Sequence, residues 1–188
     1  MTSEDTAQAP PDLTLEVYTT PSRTFVSAIT PQGPGDEATW QLFTSDTIDL
    51  EGNELQVIRI GPADTAESTV LYVPSLAAVV TGDLAYNEVH MMTAEAGEPE
   101  RAEWIANLDK VAALEPSIVV AGHKKVENGN DPKIIGESQQ YLRDFSKIAA
   151  EETTAAGIVA RMVERYPDWA NGRTLWHSAR TEVARKDS

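Results

Sequence analysis

Apolar and polar residues alternate along the first part of the chain, and short strands are what this pattern predicts. Leu13–Tyr18 alternates and is rich in β-formers, and Phe25–Ile29 offers a second short strand. The segment from Pro31 to Asp36 is dense in proline and glycine and reads as a loop. Thr47–Leu50 and the strictly alternating Leu55–Ile60 flank Glu51-Gly52-Asn53, the pattern of a hairpin. Ser68–Val73 is the next strand, turned by Pro74-Ser75. Ala77–Val80 is almost continuously apolar, as in a strand covered on both faces, and it ends at Thr81-Gly82-Asp83.

The period then changes. From Pro99 to Leu114, residues Trp104, Ile105, Leu108, Val111 and Ala112 fall on one helical stripe, and Pro116 stops the helix. Ile118–Ala121 is a second buried strand, ending at Gly122-His123. Everything beyond reads as helix. Asp131-Pro132 opens a helix with Ile134, Ile135, Tyr141, Leu142, Phe145 and Ile148 on its apolar face. Thr153 or Thr154 caps another, with Ile158, Val159, Met162 and Val163, which Tyr166-Pro167-Asp168 breaks. The last helix holds Leu175, Trp176, Ala179 and Val183. Strands, a strand–helix–strand unit, then helices predict an α/β or α+β domain. Residues 1–12 read as a disordered acidic tail and 13–188 as one domain.

Composition narrows the function classes. The absence of cysteine removes disulfides, thiol nucleophiles and thiolate metal sites. A net charge of −15 opposes binding to nucleic acid or anionic membranes. No apolar run approaches the roughly 20 residues of a membrane span. The N-terminus has no apolar core of the secretory kind, so the expected location is the cytoplasm.

The candidate chemistry lies at the two strand tips. Asp83 follows a glycine at the end of a buried strand, where a carboxylate can bind a divalent ion or can simply cap the following turn. His123 stands in the same way after Gly122, as ligand, general base or plain loop histidine. Asp64, in the loop before Ser68, can bring a second carboxylate to this edge or serve turn chemistry. His90 either lines the mouth of the site, as a substrate-binding residue, or packs there. His177 reads as core or surface. Tyr72, Tyr86 and Trp104 read as packing. There is no Gly-rich phosphate loop and no G-x-S-x-G elbow.

The stretches STVLYVPSLAAVVTGDLAYNEVH and EWIANLDKVAALEPSIVVAGHKK, with the preceding TIDLEGNELQVIRIG, resemble the C-terminal half of a metallo-β-lactamase-fold hydrolase. DPKIIGESQQYLRDF, RYPDWAN and GRTLWHSAR are similar to the family's tail, and LTLEVYTTP weakly resembles the first strand of some members. The resemblance implies an α/β αββα sandwich, shortened by loss of part of its N-terminal half. It implies Asp83 as the bridging aspartate, His123 as the last histidine ligand, and hydrolysis of ester- or lactone-type small molecules. The family's H-x-H-x-D-H signature is absent. Gly61-Pro62-Ala63-Asp64-Thr65 stands where a G-H-T segment is usual, so either Pro62 replaces the histidine or, in a shifted register, Asp64 does.

The expected cofactor is therefore zinc or another divalent metal, in at most a weak or shared site, with no residue assigned to catalysis. The alternative is a non-catalytic relative that acts as a binding or assembly module. Half a sandwich leaves a sheet face uncovered, which implies a homodimer or a partner chain over it.

Overall fold

The computed structural model describes residues 14–20, 23–29, 41–43 and 45–186. The tail 1–12 and the loop 31–36 read from the sequence lie outside the described residues. The chain divides into two compact units, Met1–Thr44 and Ser45–Ser188, within the span that the sequence presents as one domain.

The first unit is an antiparallel sheet of β1 (Thr14–Thr20), β2 (Arg23–Ile29) and β3 (Gln41–Phe43), in that order. Val17 pairs with Val26, and Phe25 with Leu42. The first two strands follow the alternation in the sequence. The third, QLF, is too short to show a period.

The second unit contains β4 (Thr47–Leu50), β5 (Asn53–Gly61), β6 (Ser68–Val73) and β7 (Ala78–Asn87). Then come α1 (Glu98–Ala112), β8 (Ile118–Lys124), α2 (Lys133–Glu151), α3 (Ala155–Arg165) and α4 (Gly172–Lys186). The sheet order is β4-β5-β6-β7-β8; only β7 and β8 run parallel, joined through α1. The β4–β5 turn has two residues, Glu51 and Gly52, at φ 53° and 82°, the left-handed pair that matches hairpin twist. Leu50 pairs with Asn53, so Asn53 belongs to the strand rather than to the turn.

The helices begin where the sequence predicts. The Asp131 carboxylate accepts the Lys133 N–H at 2.8 Å, and the Thr154 hydroxyl accepts the Gly157 N–H at 3.1 Å. Their apolar stripes meet one face of the sheet. Val70, Val79 and Val119 join Trp104, Leu108, Tyr141, Phe145, Ile158 and Leu175 in a single core. The opposite face holds Leu71, Val80 and Val120 across three strands. Val80 is 39% exposed and Ile118 on β8 is 37% exposed. The apolar run of β7 therefore does not signal cover on both faces here, because all four helices feed one core. No helix among the described residues is long and apolar enough to cross a membrane.

Candidate functional site

The strand does not end at Thr81-Gly82-Asp83 as its sequence suggests: β7 runs on to Asn87, and Gly82 and Asp83 lie at a bulge in its middle, where the end of β8 meets them through glycine. Gly82 has φ 51°, a left-handed conformation that side chains resist. The register slips here. Gly82 pairs with Ala121 and Tyr86 with His123, so four steps along β7 match two along β8. A bulge of this kind re-aims the side chains beside it. A Cβ on Gly122 would lie 2.6 Å from the Gly82 carbonyl carbon and 2.7 Å from an Asp83 oxygen. The missing side chain is what lets β8 approach. His123 Nε2 then stands 3.0 Å from Asp83 Oδ1, with both side chains about half exposed (51% and 50%).

Gly122→Ala is therefore expected to separate the two strands there and cost about 1–3 kcal/mol, the usual range for forcing extra volume into a packed contact. Urea denaturation checks the cost. The His123 imidazole shifts in an NMR spectrum should move with it; an unchanged spectrum would contradict the role given to this glycine.

Asp64 reaches the same edge from the loop after β5. Two residues of α1 hold that loop. Asn107 Nδ2 donates to the Pro62 carbonyl at 2.7 Å, and Lys110 Nζ donates to the Ile60 carbonyl at 3.0 Å. Tyr86 joins the parts. Its hydroxyl donates to Asp64 Oδ2 at 3.3 Å, and its ring stacks on His123 at 5.0 Å with 27° between the planes. Its own backbone is clamped by Ser138 of α2 through both N–H and carbonyl, each at 3.1 Å. Burial and the charges of Asp64 and Asp83 push the Tyr86 phenol upward, so it stays a donor. Burial, then the neighbouring Asp83 charge, raises the Asp64 carboxyl to about 6, against the opposing pull of Tyr86, His123 and the Thr65 backbone.

Asp64, Asp83 and His123 thus meet at one edge, joined by Tyr86. The sequence assigned Tyr86 to packing, and it does pack, edge to face with Trp104 at 6.4 Å. Its second task was hidden because a lone tyrosine in a strand gives no sign of what its hydroxyl meets. Asn107 and Lys110, polar positions facing the sheet from α1, were also missed.

His90 lies inside, 1% exposed, with Nδ1 3.1 Å from the Tyr141 hydroxyl and its ring beside Trp169. Of the two readings of this residue, that is the packed position. Burial depresses its imidazole to about 4. The folded chain then binds fewer protons than the unfolded chain, whose histidine titrates near 6.5. Its contribution to stability is complete above pH 6.5 and is lost as pH falls toward 4. Urea midpoints are expected to fall across that window, and to fall less in His90→Gln. Asp64 has the opposite sign: its contribution is complete below pH 3.8 and is lost as pH rises through about 6. Asp64→Asn should therefore steepen the acid fall.

One imidazole and two carboxylates are the right donor types for a divalent ion. Among the described residues, however, no three His, Cys, Asp or Glu side chains converge closely enough to hold one. The donor set has the right chemistry but is not closed. His177 stands apart from this edge, exposed on α4.

No family model matches the sequence, and no curated protein matches it. Solved structures do. A metallo-β-lactamase family protein from Thermus thermophilus aligns over 85% of this chain and 52% of its own, at TM-score 0.53 and 18% identity. A metallo-β-lactamase from Pontibacter korlensis aligns over 54% of this chain and 47% of its own, at TM-score 0.46 and 21% identity. The chain spans about half the length of these structures. At this identity the likeness shows the fold: a mixed α/β chain of metallo-β-lactamase type.

Proposed function

We propose that this chain of metallo-β-lactamase fold is a hydrolase-type protein for ester- or lactone-type small molecules, with an incomplete metal site at its sheet edge. The observation that carries the reading is the meeting of Asp64 from the loop after β5, Asp83 from the bulge of β7 and His123 from the end of β8 around Tyr86. Their own chemistry suits proton transfer. The Asp83 carboxylate fixes the His123 imidazole through Nε2, and the stacked Tyr86 ring sets its plane. Asp64, with a midpoint of about 6, can take and release a proton close to neutrality. The missing donors would come from a second chain, and the sheet face with Val80 and Ile118 is the proposed contact.

A second reading, a binding module without catalysis, is favoured by the contact of His123 Nε2 with Asp83, which engages one of the two ring nitrogens able to bind a metal.

Elemental analysis after purification in added zinc separates the two. The hydrolase reading expects about one equivalent per chain, lost with nitrophenyl-ester hydrolysis in Asp83→Ala and His123→Ala. Less than about a tenth of an equivalent, with both variants unchanged in that assay, would overturn it. Sedimentation velocity tests the second chain: a clean monomer in added zinc would exclude it.

A further inference from the structure

Helix α4 carries a second candidate site. A cavity of about 470 Å³ is lined by Met92 and by Arg173, Thr174, Trp176, His177 and Arg180 of α4. Arg173, Trp176, His177 and Arg180 stand at i, i+3, i+4 and i+7, one face of the helix. Basic residues are scarce in this chain, 15 against 30 acidic ones. Of its five other helical arginines, Arg101, Arg161, Arg165 and Arg185 stand in ion pairs, and Arg143 of α2 has none among the described residues. Among the described residues, no carboxylate pairs with Arg173 or Arg180. Two guanidinium groups and an imidazole therefore face one cavity in a molecule whose net charge is −15.

We propose that this cavity binds a small organic anion: a carboxylate or phosphate monoester with a flat apolar body. The guanidinium groups supply forked donors matched to either oxyanion. Trp176, 44% exposed, offers the apolar body a stacking face. Met92 is an adaptable apolar wall. The volume lies in the range of small-molecule pockets, about 300–1,000 Å³. A long polyanion is disfavoured, because the rest of the surface repels it. The inference concerns binding alone and does not rest on the hydrolytic reading.

Calorimetric titration of the full chain with phenylacetate, phenyl phosphate, inorganic phosphate and neutral phenylacetamide tests it. One site per chain is expected for at least one aryl anion, with no binding of the amide. Affinity should fall at least about tenfold in Arg173→Gln/Arg180→Gln, the scale of a lost charge-assisted hydrogen bond. Both arginines are exposed, so this variant keeps its fold, which circular dichroism checks. Fluorescence quenching by the bound anion should be lost in Trp176→Phe. The relative affinities of the two aryl anions identify the oxyanion. Equal binding of the amide, unchanged affinity in the double variant, or no binding of either aryl anion at about 10 mM would overturn the proposal. Inorganic phosphate binding as tightly as phenyl phosphate would overturn the apolar body.

Discussion

Glu182→Ala is expected to lower the folding free energy by about 3–5 kcal/mol, the cost of stranding a buried charge. The stranded charge is Arg101, 1% exposed on α1. Its Nη1 donates to Glu182 Oε2 at 2.9 Å and to the Ala96 carbonyl at 2.7 Å. Its Nη2 donates to Glu182 Oε1 at 3.3 Å, its Nε to the Ser146 hydroxyl at 2.8 Å, and its plane lies 5.2 Å over Phe145. Glu182 also accepts from Arg185 at 2.6 Å. The Arg101 guanidinium thus ties α1 to α2, to α4 and to the segment before α1, with the Glu182 carboxylate as its counter-charge. Burial alone would raise the carboxylate's proton affinity, but the hydrogen bonds and charge of Arg101 outweigh burial and hold it below the ordinary 4.5. The network's stability is therefore present above pH 4.5 and is lost as pH falls through that lowered value. Urea denaturation at pH 7 measures the loss. Arg101→Met/Glu182→Leu should recover most of it, because removing both charges leaves none stranded. A single variant within about 0.5 kcal/mol of wild type would contradict the assignment.

Trp104→Ala should cost a similar amount, about 3–5 kcal/mol, as for other large aromatic truncations in a core. Trp104 is fully buried, its Nε1 donates to the Leu84 carbonyl at 2.8 Å, and its ring meets Tyr86. Truncation opens a cavity, orphans a carbonyl inside β7 and removes the wall behind the tyrosine that holds Asp64 and His123. Trp104→Phe keeps most of the bulk and loses the hydrogen bond, so it should cost about 1–3 kcal/mol. Near-ultraviolet circular dichroism should show the alanine variant with altered tyrosine packing. If the two variants cost the same, the hydrogen bond dominates and the cavity argument fails.

The elements were legible because periodicity and caps agree. Leu108 and Val111 announce α1, Asp131 and Thr154 open the helices they cap, and the apolar runs before Gly82 and Gly122 mark the parallel pair β7 and β8. The fold type was legible through the order of those elements and the tripeptides Thr81-Gly82-Asp83 and Ala121-Gly122-His123, although the first lies inside β7 rather than at its end. The arrangement around these tripeptides was less so. Nothing in the spacing of Asp64, Tyr86 and His123 shows that a bulge brings them together, since the register slip depends on contact between β7 and β8. The exposure of Val80 was misjudged for a related reason: an apolar run records what a strand tolerates, not how many layers cover it. The α4 cavity was hidden because Trp176 fits an apolar stripe as well as a cavity wall.

The contact of Gly122 with the Gly82 backbone has a practical side. The spacing between Asp83 and His123 is set by main chain on main chain, before either side chain is chosen. The bulge of β7 and the end of β8 therefore act as a socket into which different groups can be fitted without moving it. Since both side chains are half exposed, variants at 83 and 123 should keep the scaffold and report chemistry alone. Variants at 82 and 122 will report scaffold. A loss of metal or activity can be assigned to one or the other by which of these four positions was changed.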